Sequence, residues 1–127
     1  MENDFKYTVI FHENSNGYSE SYDYILKLAQ KSSKSKDARI KYNKITEYMR
    51  ILKTIGVEVG EPYIKHIQGV DGLYELRPLR DRFFFIYEED NKYVILNHFQ
   101  KSTQKTPKKE IEKAIKYIRE RKNNENF

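Results

Sequence analysis

The chain predicts an α+β domain: a twisted, mostly antiparallel sheet with two helices from its N-terminal half and one C-terminal helix packed on it. Two observations lead there. Residues 73–99 hold three period-two segments separated by turn residues, whereas helical periodicity is confined to about 19–55 and to the stretch after Thr106-Pro107. The resulting order, β-α-α-β-β-β-β-α, keeps most strands together instead of alternating them with helices. At 127 residues the chain is expected to be one domain, 1–127, with NNENF frayed at its end.

Each element has its own signal. Phe5, Tyr7, Val9 and Phe11 alternate with Lys6, Thr8 and Ile10, as in a half-buried strand. HENSNG (12–17) reads as a loop. Ser19 is a candidate N-cap for a helix whose apolar positions are Tyr22, Ile25, Leu26 and Ala29. SSKSK (32–36) interrupts that pattern. A longer helix follows from about Asp37 to Ile55, striped by Ala38, Tyr42, Ile45, Met49, Leu52 and Ile55, with Gly56 placed to end it. Tyr63–Ile67 is a candidate edge strand. Leu73–Arg77, Arg82–Glu88 and Lys92–Phe99 form the main strands, joined by a four-residue turn at Pro78–Asp81 and a two-residue turn at Asp90-Asn91. Pro107 suits a first helical position and Thr106 a cap. Ile111, Ala114, Ile115 and Ile118 form the last helix's buried face.

Composition narrows the function classes. Apolar residues make up 38%, and 11 Tyr and 7 Phe supply much of that, so few side chains can close a core. There is no cysteine, which excludes disulfides and thiolate metal sites. No apolar run is long enough to span a membrane and MENDFKYT is not a signal peptide, so a cytoplasmic location is expected. Residues 1–99 carry 15 basic and 15 acidic side chains; the whole net charge of +5 comes from residues 100–127, with 9 basic against 4 acidic. That excess fits a local polyanion contact or a solvated lysine-rich helix equally well.

Strand parity groups the charged residues. Pairing Arg77 with Arg82, Glu75 with Phe84 and Leu73 with Ile86, and then Phe84 with Asn97, Ile86 with Ile95 and Arg82 with Phe99, puts all of these on one face. Lys101 joins them if the strand continues. Tyr74, Leu76, Phe83, Phe85, Tyr87, Val94, Leu96 and His98 take the other, stronger core face. Two facing arginines need an anion between them. Glu75 can supply it within an ordinary surface ion network. A bound phosphate can also supply it, with Arg77, Arg82 and Lys101 as a clamp and Phe84 and Phe99 as a base-stacking platform. His98 falls on the core side at a strand end, where a bulge can change parity. His12 and His66 are isolated. No HxxxH, Gly-rich phosphate loop or paired acidic motif is present, so a metal-dependent nuclease lacks its carboxylates and no cofactor or metal is expected.

The stretch GLYELRPLRDRFFFIYEEDNKYVILNHFQKSTQKTPKKEIEKA resembles the HigB-type, phage-associated branch of the RelE toxin superfamily. The likeness rests on ELR, PLRDR and TQKTP in that order, is close over about residues 60–120, and is looser over KDARIKYNKI and GEPYIKHI. It implies a RelE-like fold and a metal-independent endoribonuclease that cuts mRNA on the translating ribosome, as toxin of a type II toxin–antitoxin pair. The implied partner is a HigA-like helix-turn-helix antitoxin, through which alone the chain would reach operator DNA. Carried over, Arg77, Arg82 and Lys101 would bind the scissile phosphate, Glu75 or His98 would accept the proton, and Lys105, Lys108 and Lys109 would contact RNA. Two positions depart from the family pattern: Asn97 stands before His98 where a second His is usual, and Ser102 follows Lys101 in place of a Lys. The departures motivate a second expectation, a catalytically weak member that still binds antitoxin and regulates its operon. A general basic RNA-binding module is a third.

Overall fold

A computed structural model describes residues 5–125, in the order β1 (Thr8–Phe11), α1 (Glu20–Lys31), α2 (Lys36–Thr54), a 3-10 turn (Gly56–Val59), β2 (Ile64–His66), β3 (Tyr74–Leu76), β4 (Asp81–Glu88), β5 (Lys92–Gln100) and α3 (Lys108–Glu125). The strands form one five-stranded sheet, β1-β5-β4-β3-β2, antiparallel except where β1 runs parallel to β5. The α+β expectation holds, element for element. Helix α3 runs on through Asn123, Asn124 and Glu125, into the segment expected to fray; the last two residues lie outside the described ones. No helix among the described residues is long and apolar enough to cross a membrane.

Local chemistry explains the boundaries. Ser19 Oγ accepts the Tyr22 N–H at the start of α1, and Ser35 Oγ accepts that of Ala38 at the start of α2. The serine run that reads as a break is therefore also a cap. Asp90 and Asn91 both take positive φ (65° and 57°), the left-handed pair that a two-residue hairpin turn requires. Gly56 ends α2 at φ 83°, and a Cβ there would lie 2.6 Å from Tyr93 Oη and 2.8 Å from Tyr7 Cε2. Gly56→Ala is expected to lower stability by about 2 kcal/mol in urea denaturation, because clash and backbone strain add. An unchanged midpoint would mean that the tyrosines yield.

Each face of the sheet has its own core. Leu28 of α1 and Ala38, Ile45 and Leu52 of α2 pack on Leu76, Phe83, Phe85, Tyr93 and Ile95. Ala114, Ile111 and Ile118 of α3 pack on Leu73, Phe84, Val94, Leu96 and Phe99. Two expectations are corrected. The buried stripe of α1 runs through Ser21, Tyr24, Ile25 and Leu28, leaving Tyr22 and Leu26 exposed. Along β5 the register slips: Phe84 faces Asn97 but Phe85 faces Ile95, so Leu96 is an extra residue in a bulge. Ile86 consequently faces Val94 instead of Ile95. Val94 and Leu96 move to the α3 face and Ile95 to the α1/α2 face, while Asn97, His98 and Phe99 keep their expected sides. Tyr93–Leu96 is apolar throughout, so alternation could not reveal the slip.

Candidate functional site

The basic side chains gather at the end of the sheet where β4 begins and β5 ends. The ladder continues one step past Asp81–Gln100: Lys101 N–H donates to the Arg80 carbonyl at 2.8 Å, and Arg80 Nη2 donates to the Lys101 carbonyl at 2.8 Å. These bonds pin the first residue of the 101–107 segment to the β3–β4 turn. Between them opens a cavity of about 370 Å³ lined by Arg80, Arg82, Lys101, Ser102, Thr103 and Gln104. Three cations, two hydroxyls and an amide give this space a cationic, hydrogen-bonding lining.

Behind it sits Glu75, only 3% exposed. Its Oε1 lies 3.3 Å from Arg77 Nε and 4.0 Å from Arg82 Nε. Neither Nε is aligned for a hydrogen bond, so these are ion pairs alone. Arg82 Nη1 instead donates to the carbonyls of Leu79 at 2.7 Å and Asp81 at 2.9 Å, which fixes the guanidinium's plane. The facing arginines therefore do have an anion between them. β3 ends at Leu76, however, so Arg77 and Arg82 are not a ladder pair. Arg77 does not line the cavity; its Nη1 reaches Glu61 at 3.7 Å.

Burial pushes the Glu75 carboxyl above its ordinary value of 4.5, against the downward pull of Arg82, Arg77 and Lys101. A raised folded value means that Glu75 contributes stability fully present below about pH 4.5 and lost as pH rises through that higher value. Burial thus makes the charged form costlier in the fold than in the unfolded chain. Glu75→Gln is expected to melt no lower than the parent at pH 7 and to show a flatter stability profile above pH 4.5. A clear loss of melting temperature at pH 7 would show that the arginines outweigh burial.

Several expected site residues lie elsewhere. His98 points to the α1/α2 face, opposite Glu75. Its Nε2 donates to Asp81 Oδ1 at 2.9 Å, and its ring stacks on Tyr24 at 3.9 Å between centroids. It bridges Asp81 and Tyr24 and does not line the cavity. Phe84 and Phe99 pack edge to face at 5.4 Å inside the α3-side core, and Phe84 is 0% exposed, so neither can stack on a base. Lys105, Lys108 and Lys109 are exposed on the 101–107 segment and the start of α3, outside the cavity lining. Asn97 is buried against α3, where its Nδ2 donates to the Glu110 carbonyl at 3.1 Å and to Glu110 Oε1 at 3.2 Å. Its departure from the family pattern fastens β5 to α3 and leaves the cavity untouched. Ser102, the other departure, does line the cavity.

Arg80 was missed from the sequence because it sits in a turn, where strand parity assigns no face. The repeated basic spacing of PLRDR was the signal available. Among the described residues no three His, Cys, Asp or Glu side chains converge in a metal-binding group.

No curated protein matches the chain. Among solved structures it is similar to a chain of the archaeal RelE–RelB complex from Pyrococcus horikoshii OT3, with 18% identity over 74% of this chain and 93% of that one, at a TM-score of 0.49. A family model described as phage-derived protein Gp49-like (DUF891) matches residues 33–119, which takes in α2, strands β2–β5, the whole anion cavity and most of α3. By that match the chain belongs to the phage-derived Gp49-like family.

Proposed function

We propose that this protein is the toxin of a type II toxin–antitoxin pair and cleaves mRNA on the ribosome without a metal, with a helix-turn-helix antitoxin as its partner. The observation that carries the reading is the cavity ringed by Arg80, Arg82 and Lys101, with Glu75 holding Arg82 from behind. The ELR–PLRDR–TQKTP resemblance supports it independently. In such a site the 2′-oxygen attacks the adjacent phosphorus and loses its proton to water, while the bond to the 5′-oxygen breaks and that oxygen takes a proton from water, leaving a 2′,3′-cyclic phosphate and a 5′-OH. Arg82 and Lys101 meet the charge that grows on the phosphate, and pre-placed cations contribute most where water is excluded. Glu75 acts as a positioning residue, a buried ion partner 3.3 Å from Arg77 Nε and 4.0 Å from Arg82 Nε. Lys105, Lys108 and Lys109 extend the positive surface along the RNA backbone.

Expression of the wild type is expected to arrest growth and to cut translated mRNA, and Lys101→Ala to relieve both with an unchanged melting temperature. Wild-type expression that leaves growth and message intact would remove the reading.

One observation favours a second reading, a weak or inactive member that binds antitoxin and regulates its operon. Arg80, Arg82, Lys101, Ser102, Thr103 and Gln104 include no side chain that exchanges a proton near neutral pH. That reading predicts tight binding to the helix-turn-helix partner and no cut in a translation extract.

A further inference from the structure

On the far side of the Arg80–Lys101 backbone pair lies a second, larger cavity of about 620 Å³, between α2 and the β3–β4 turn. Arg80, Lys101 and Ser102 border both cavities, so an anion held in the first lies beside whatever fills the second. Its apolar walls come from separate elements: Ile40 of α2, 49% exposed, and Leu79 of the turn, 48% exposed. Leu79 is held at φ 57°, in the left-handed region that a leucine disfavours. The restraints are the Arg82 Nη1 bond to its carbonyl and the Asp81 N–H bond to the Pro78 carbonyl at 3.0 Å. The arginine of the anion cavity therefore also places the apolar wall of its neighbour. Strain maintained at an exposed apolar side chain beside a charged pocket is the kind that marks a ligand contact.

Asp37, Lys41, Arg80, Asp81, Gln100, Lys101 and Ser102 supply the polar part of the wall. The Gln100 amide donates to Tyr24 Oη at 3.2 Å, which turns one end of that side chain inward to the protein and leaves its carbonyl oxygen as an acceptor. Asp37, at the start of α2, adds a carboxylate and ion-pairs with Lys41 at 3.3 Å. Apolar walls, an acceptor edge and an adjoining cationic pocket match the two halves of a nucleotide, phosphate in one space and base in the other. We infer that the α2–turn cavity is a nucleobase subsite, taking the base attached to the phosphate that Arg80, Arg82 and Lys101 bind. The inference rests on the first cavity being an RNA phosphate site.

The test compares inorganic phosphate with a nucleoside 3′-monophosphate, titrated into the full chain and followed by methyl and amide NMR. Phosphate alone is expected to shift the amides of Arg80, Arg82 and residues 101–104 and to leave the Ile40 and Leu79 methyls unmoved. The nucleotide should also shift the Ile40 and Leu79 methyls and bind about tenfold tighter, the discrimination one apolar pocket provides. Ile40→Ser is expected to reduce nucleotide affinity toward that of phosphate and leave phosphate binding as it was. Leu79→Asn, which tolerates the left-handed backbone, should do the same. Equal binding of the two probes with unmoved Ile40 and Leu79 methyls would overturn the subsite while leaving the phosphate site standing; it would assign the apolar walls to a protein partner instead. Binding of neither probe would remove both. A normal Lys101 effect on mRNA cleavage alongside a failed nucleotide titration would separate the failure of this inference from failure of the toxin reading.

Discussion

Arg82→Ala should reduce mRNA cleavage about a hundred- to a thousand-fold, the scale of removing one pre-placed donor from a charge-stabilising site. Growth arrest on expression should disappear with it. Three bonds set by the fold converge on this one side chain: the ion pair to Glu75 and the donations to the Leu79 and Asp81 carbonyls. Truncation therefore also leaves two carbonyls short of a donor near the β3–β4 turn, for a stability loss of about 1–3 kcal/mol. Arg82→Lys keeps the charge and loses the planar fork, so it should fold nearly as well yet recover only part of the cleavage. Full cleavage by Arg82→Ala in a translation extract, with a melting curve showing it folded, would take the phosphate role away from this residue.

The largest stability effect at the site is expected for Asp81→Ala, about 3 kcal/mol, because two buried donors lose a shared charged acceptor. Asp81 is 2% exposed and accepts from Tyr24 Oη at 2.8 Å and from His98 Nε2 at 2.9 Å. Through Tyr24 it ties α1 to the end of the sheet directly beneath the Arg80–Lys101 pair. Burial alone would lift its carboxyl, but the hydrogen bonds from His98 and Tyr24 prevail and hold it below the ordinary 3.8. The sign follows: Asp81 adds stability that is present above pH 3.8 and lost as pH falls through the depressed folded value. Asp81→Asn should accordingly be less stable than wild type at neutral pH and lose less of its remaining stability on acidification. Identical acid limbs for wild type and Asp81→Asn would show that other carboxylates govern acid unfolding. Burial first, and the bond to Asp81 second, raise the Tyr24 hydroxyl above its ordinary value of 10.0.

Much of this architecture is written in local chemistry. Ser19 and Gly56 mark helix ends, Asp90-Asn91 marks a hairpin, and alternation marks each strand, because caps, turns and period-two burial act within a few residues of chain. The pairings of Glu75 with Phe84 and of Arg82 with Phe99 follow from turn length alone, and both are present. They suffice to bring Glu75 and Arg82 together on one face.

Tertiary structure decided what turns, bulges and burial do to that plan. The Leu96 bulge re-sorts Val94, Ile95 and Leu96 between two cores, which four consecutive apolar residues cannot signal. Because α3 packs over this face, Phe84 and Phe99 are core residues, although parity set them beside the arginines. Arg80, in a turn with no face of its own, becomes a wall of both cavities only when the 101–107 segment folds back to bond it. His98 is recruited by Asp81, seventeen residues earlier, and so stays out of the cavity lined by Arg80, Arg82 and Lys101. Local sequence thus determined the elements and the face on which Glu75 and Arg82 meet. Contacts between residues distant in sequence decided which side chains remain open to a ligand, because exposure depends on what packs above a residue and not on the residue itself.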